Sequence, residues 1–160
     1  MYSLNMTAEN FIEVSFEVAN KVGGIYQVLN SKSTMMAEYY GDNYITIGKY
    51  NSEEANDDFT EKECSGPLSE LEEKDLDGIE VHTGVWRISD RPKCILVDPS
   101  GLEKSIDEIK TEMYNEHGVE SLNAGEDFED PVKWSYAVGK VISALEEELE
   151  GDTVVQLHEW

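Results

Sequence analysis

Asn20-Lys21-Val22-Gly23-Gly24-Ile25-Tyr26 is the stretch of this chain with the most evident chemical potential. Two adjacent glycines let backbone amides approach an anion closely, and a helix starting there aims its positive end at the same point. Lys21, two residues before Gly23, adds a full positive charge. The chemistry implied is phosphate binding, with Asn20 and Tyr26 as softer candidates. The same residues also suit a plain strand-to-helix turn, because glycine is the default residue of any tight turn. At the other end, His158 follows Val154-Val155-Gln156-Leu157, which reads as a buried strand reaching its end. Imidazole donates or accepts near neutral pH, which suits a polar ligand and a structural hydrogen bond alike. Glu159, next to it, shapes the backbone or positions the loop. His82 and His117 have no partner spacing for a metal site and read as surface or loop residues.

The elements that must position these residues follow from periodicity. Phe11 to Val18 alternates as a strand, with Ile12, Val14, Phe16 and Val18 on one face. A helix over 25–38 turns Ile25, Val28, Leu29 and Met36 toward a core, and Gly41-Asp42-Asn43 ends it. Tyr44 to Gly48 is the next strand, so the three form a β–α–β unit with a right-handed crossover. Residues 51–77 read as an acidic, solvent-facing insertion carrying a short helix near 66–73 with a Ser69/Glu72 capping box. Residues 78–88 alternate as a strand or hairpin, and 92–98 is a buried strand. Ser100 and Glu103 form a capping box for a helix reaching about His117. Asp130 at N-cap and Pro131 at N1 start another, whose core stripe is Trp134, Val138, Val141, Ile142, Leu145 and Leu149. Gly151-Asp152 turns into the last strand. The fold class is α/β with a mostly parallel sheet, in which ligands bind at the carboxyl ends of strands. Gly23-Gly24 and His158 both lie just past such an end.

Composition sets the bounds. The 160 residues are 39% apolar, enough for one domain with a core, and too apolar and periodic for disorder. Asp and Glu number 35 against 12 Lys and Arg, a net charge of -23. That balance argues against nucleic acid and anionic membrane as partners. It fits a hydrated acidic surface working in high salt, where screening relieves self-repulsion. Cys64 and Cys94 have no metal spacing and read as reduced cytosolic thiols. No apolar run reaches the length of a membrane span.

With both ends in view, the chain resembles the glycogen synthases of the eukaryotic type and their archaeal relatives. The resemblance rests on Glu13 through Tyr26, on Arg91-Pro92-Lys93-Cys94-Ile95-Leu96-Val97-Asp98, on Ser121-Leu122-Asn123-Ala124 through Asp130 to Gly139, and on Val154 through His158-Glu159-Trp160. It covers nearly the whole chain in order, and the first and last motifs are the specific ones. It implies that 1–160 is the start of a Rossmann-like, acceptor-side N-terminal domain, an incomplete one, of a two-domain GT-B glycosyltransferase, with the C-terminal donor-binding domain outside this chain. The implied reaction transfers glucose from UDP-glucose or ADP-glucose to the 4-hydroxyl of an α-1,4-glucan such as glycogen, with retention and without a metal or other cofactor. By the same resemblance His158 bonds the donor sugar, and Lys21, Gly23, Gly24, Asn20 and Glu159 line the substrate site. The implied setting is the cytoplasm, with room for a homo-oligomer in the full-length protein. A non-catalytic module that binds a nucleotide-sugar or glucan, and an unrelated acidic interaction domain, are the competing readings. The 160 residues alone are expected not to transfer glucose.

Overall fold

Val, Ile and Leu crowd the central strands because both faces of a parallel sheet are covered by helices. The computed structural model, which describes residues 8–51 and 57–159, contains a six-stranded sheet. Its strands are β1 (Asn10–Val14), β2 (Tyr44–Lys49), β3 (Phe59–Glu61), β4 (Glu80–Trp86), β5 (Lys93–Asp98) and β6 (Thr153–Leu157). The order across the sheet is β3-β4-β5-β2-β1-β6. β5, β2, β1 and β6 run parallel, while β4 and β3 are antiparallel additions at one edge. The helices are α1 (Gly24–Tyr40), α2 (Pro67–Glu72), α3 (Ile106–His117) and α4 (Glu126–Glu146). The Rossmann-like α/β class read from the sequence is therefore the observed one.

Alternate residues of each strand enter two different cores. Ile12, Val14, Ile45, Ile47, Ile95 and Val97 meet α2, α3 and α4 on one face. Cys94 and Leu96 meet Tyr26 and Leu29 of α1 on the other, together with Val18, Ala19 and Trp86. Cys94 is fully buried, and burial pushes its thiol up to about 12, so it is an inert packing residue.

Several expectations shift. The first strand stops at Val14: Ser15 to Ala19 forms a turn, closed by Val18 N–H donating to Ser15 O at 3.2 Å. Phe16 and Val18 thus fall on opposite cores rather than one strand face. In α1 the buried positions are Tyr26, Leu29 and Ser33, while Val28 is exposed, because the helix meets the sheet along its 26–29–33 line. α2 is no solvent-facing insertion: Leu68 and Leu71 are fully buried in the larger core. Its N-cap is Gly66 with no side-chain bond, and Glu72 instead accepts from the Thr83 hydroxyl, so the Ser69/Glu72 box does not form. Part of the acidic connection, 52–56, lies outside the described residues.

The capping box of α3 is Ser105/Glu108, one repeat of the Ser-x-x-Glu pattern later than expected. Ser100 belongs to an Asx turn on Asp98, and Gly101 abuts the Gly78 carbonyl. α4 begins a turn earlier, at Gly125, with Glu126, Asp127 and Glu129 favourable at its positive end. Pro131 then sits inside the helix, and Asp130 pairs with Lys49 at 2.7 Å instead of capping. The core stripe of α4 holds, with Trp134, Val138, Val141 and Leu145 buried and Ile142 and Leu149 packed at its margin. β6 is an edge strand with Leu157 exposed, not a buried one.

One close approach ties β2 to the turn after β1. A Cβ on Gly48 would stand 2.5 Å from Val18 O and 2.9 Å from Leu96 Cδ2. Backbone oxygen cannot step aside cheaply, so Gly48→Ala is expected to lose about 1–3 kcal/mol, the usual cost of overpacking. Chemical denaturation checks this, and an unmoved midpoint would contradict it.

Candidate functional site

The strand order supplies the first geometric clue. The sheet grows outward from β1 through β2 toward β5, and the chain then returns over the α3/α4 face to place β6 on the far side of β1. α1 covers the opposite face. Order thus reverses between β1 and β6, and open α/β sheets bind ligands at the carboxyl ends beside such a reversal. The register pairs Val14 with Leu157, and His158 N–H donates to Val14 O at 2.9 Å. The turn of 15–19, the Asn20–Gly24 segment and His158 all emerge from this pair of strand ends.

Below them lies a buried carboxylate that sequence reasoning did not single out. Glu13 is fully buried on the α1 face of β1. Its Oε1 is 2.7 Å from His158 Nε2 and 2.5 Å from Lys32 Nζ. Its Oε2 accepts from the Tyr44 hydroxyl at 2.5 Å. Burial, and then the Glu13 carboxylate, push the Tyr44 phenol far above its ordinary range, so it keeps its proton and donates. Lys32 also donates to Gln156 Oε1 at 2.9 Å, which links α1 to the edge strand. The signal was present: a glutamate in the middle of Phe-Ile-Glu-Val, a strand apolar on both sides, must be paired to be tolerated.

The glycine corner has its own occupant. Glu17, in the turn after β1, accepts from Gly23 N–H at 3.0 Å and Tyr26 N–H at 2.7 Å. These are amides at the positive end of α1, whose N-cap Gly23 brings no side-chain bond. A Cβ at Gly23 would stand 2.7 Å from Glu17 Oε1, so a larger residue there would have to displace that carboxylate. Space beside Gly24 is open. The amides at the start of α1 are thus taken by the chain's own carboxylate. Ala19, which leads into the motif, holds a left-handed φ of 55° that alanine adopts only under local constraint.

The remaining candidates divide. Lys21 is exposed, with its ammonium 5.8 Å from the Tyr26 ring centre. Asn20 is half-buried, and its side-chain amide donates to Phe16 O at 3.4 Å. Glu159 is exposed. Tyr26 is buried, packs edge-on to Trp86 and donates to Asp58 at 2.6 Å; burial and that partner push its phenol up to about 12. Tyr26 is therefore a packing residue under the motif. His82 is a strand residue of β4 stacked on Tyr50, 3.8 Å between ring centres, rather than a loop residue. His117 ends α3 on the surface.

The sheet order, the reversal between β1 and β6 and the polar groups gathered at their carboxyl ends define a Rossmann-like α/β protein with its candidate site at that edge. Comparison with known proteins names the group: the family model for glycogen synthase matches residues 13–160, and the chain belongs to that family. A glycogen [starch] synthase of Neurospora crassa is 30% identical over 151 residues, 92% of this chain and 21% of that protein. The liver glycogen [starch] synthase of Rattus norvegicus is 30% identical over 154 residues, again 92% of this chain and 21% of the relative. A glycogen [starch] synthase of Dictyostelium discoideum is 32% identical over 152 residues, 92% of this chain and 17% of that protein. The chain spans about a fifth of the length of these relatives.

Proposed function

We propose that this chain forms the first part of the acceptor-side domain of a retaining GT-B glucosyltransferase, with the rest of that domain and the donor-binding domain contributed by further sequence. The full-length enzyme transfers glucose from a nucleoside-diphosphate glucose, UDP-glucose or ADP-glucose, to the 4-hydroxyl of an α-1,4-glucan such as glycogen. The single observation that supports this best is His158, bound to Glu13 beside the β1/β6 reversal, in a chain matched to the glycogen synthase family over residues 13–160.

The roles follow from charge and position. The departing nucleoside diphosphate gathers negative charge, which amide dipoles and cations stabilise. Lys21, exposed at the corner, supplies the cation, and Gly24 supplies open backbone for close approach. Glu17 holds Gly23 and the start of α1 in shape, so Gly23 serves as a scaffold more than a contact. His158 bonds the donor sugar, and Asn20 and Glu159 border the site. No metal or other cofactor has a role in this reading. Initial-rate assays of glucose incorporation into glycogen, with UDP-glucose and with ADP-glucose, test it. The full-length protein is expected to elongate glycogen with one of them, and the 160 residues alone are expected to give no turnover. Failure of the full-length protein with both donors would refute the assignment.

The net charge of -23 supports adaptation to high salt. No helix among the described residues is long and apolar enough to cross a membrane. Thermal unfolding is expected to shift upward by several degrees between low salt and molar KCl, as screening removes self-repulsion. Equal melting in both would argue against the adaptation.

A further inference from the structure

We propose that Glu13 is the positioning residue that fixes the His158 ring and presents its Nδ1 to the donor sugar; the sugar-binding half of this rests on the function proposed above. A carboxylate only accepts hydrogen bonds, so the ring nitrogen facing it carries the proton. That nitrogen is Nε2, 2.7 Å from Glu13 Oε1. Nδ1 is left as the ring's second polar atom, with no partner among the described residues. In the neutral ring it is a lone pair that accepts from a sugar hydroxyl.

The carboxylate itself has little freedom. It is fully buried on β1, the strand next to β6, and both of its oxygens are engaged. Lys32 on α1 supplies the counter-charge at 2.5 Å, and Tyr44 on β2 donates to the other oxygen at 2.5 Å. Three elements thus hold Glu13, and Glu13 holds His158. The backbone bond from His158 N–H to Val14 O fixes the base of the side chain, and the Glu13 bond fixes its tip. Two fixed points leave the imidazole, whose side chain is 14% exposed, one orientation. Outer partners of this kind set the tautomer and the aim of a functional histidine. Glu13 touches no substrate in this arrangement and acts through His158.

Nuclear magnetic resonance of the chain labelled with 15N-histidine reads the pair directly, with His158→Ala identifying the signals among the three histidines. The wild-type chain is expected to show a downfield, slowly exchanging proton on His158 Nε2. It should vanish in Glu13→Met and move upfield in Glu13→Gln, where the acceptor loses its charge. A wild-type ring protonated on Nδ1 alone, or a resonance unmoved in Glu13→Gln, would overturn the proposal; the glutamine variant decides if the methionine variant does not fold. In the full-length enzyme, Glu13→Gln is expected to lower kcat about tenfold to a hundredfold with the KM for glycogen within about twofold. Wild-type rates in Glu13→Gln beside a crippled His158→Ala enzyme would overturn the positioning role alone. Wild-type rates in His158→Ala would instead overturn the sugar-binding reading.

Discussion

His158→Ala in the full-length protein is expected to reduce the rate of glucose transfer about a hundredfold, the scale of losing one preorganised hydrogen-bonding group at a reacting centre. The substitution removes the ring and spares the scaffold. The backbone bond from residue 158 to Val14 O does not depend on the side chain, and Glu13 keeps Lys32 and Tyr44. Stability should therefore fall by only about 1.5–3 kcal/mol, the worth of a hydrogen bond to a charged group. Because imidazole is asked to act in the transition state, the loss should appear in kcat rather than in the KM for glycogen. Initial rates at saturating donor, set beside denaturation of the same variant, separate the two effects. A rate within threefold of wild type, in a folded variant, would contradict the role.

The second large effect concerns the core beneath the site. Trp134→Ala is expected to cost about 3–5 kcal/mol, the range for deleting a large buried aromatic side chain. Trp134 is 4% exposed in the core shared by α2, α4 and the sheet. Its ring lies 4.2 Å from that of Phe16, centre to centre, and Phe16 belongs to the turn that leads into the glycine motif. The indole nitrogen is buried without a hydrogen-bond partner among the described residues, so its removal strands no polar group and the loss is one of packing. Neighbours on a sheet and a long helix can close only part of the space. Urea denaturation followed by far-UV circular dichroism measures the change. A loss under about 1 kcal/mol would mean that the core around Phe16 collapses more freely than this packing implies.

Much of this architecture was legible in the order of residues. The apolar runs at 44–48 and 93–97 are buried strands of the parallel sheet, covered on both faces. The stripe from Trp134 to Leu145 is a helix face because its spacing follows the 3.6-residue turn. Other features depend on tertiary partners that sequence does not display. Ser-x-x-Glu occurs at both 100–103 and 105–108, and the fold uses the second as the cap while Ser100 sits in a turn on Asp98. Asp130-Pro131 looks like a helix start, but Asp130 pairs with Lys49, and the helix begins earlier after Gly125 with acidic residues in its first turn. α2 sits in an acidic stretch whose two leucines happen to meet α4. At the site, the strand ends carrying Gly23-Gly24 and His158 were readable, and their shared edge is what the strand order shows. The groups that hold them were not. Glu13 is read as part of an alternating strand, and Glu17 as one more acidic residue, until the fold brings His158 to the first and the amides of Gly23 and Tyr26 to the second.

The most direct test is a structure of the full-length protein bound to the nucleoside-diphosphate glucose it uses. The glucose is expected at the carboxyl ends of β1 and β6, with a sugar hydroxyl within hydrogen-bond distance of His158 Nδ1, Nε2 still on Glu13, and the diphosphate toward Lys21 and Gly24. A glucose bound away from this edge, with His158 touching no part of the donor, would contradict the account.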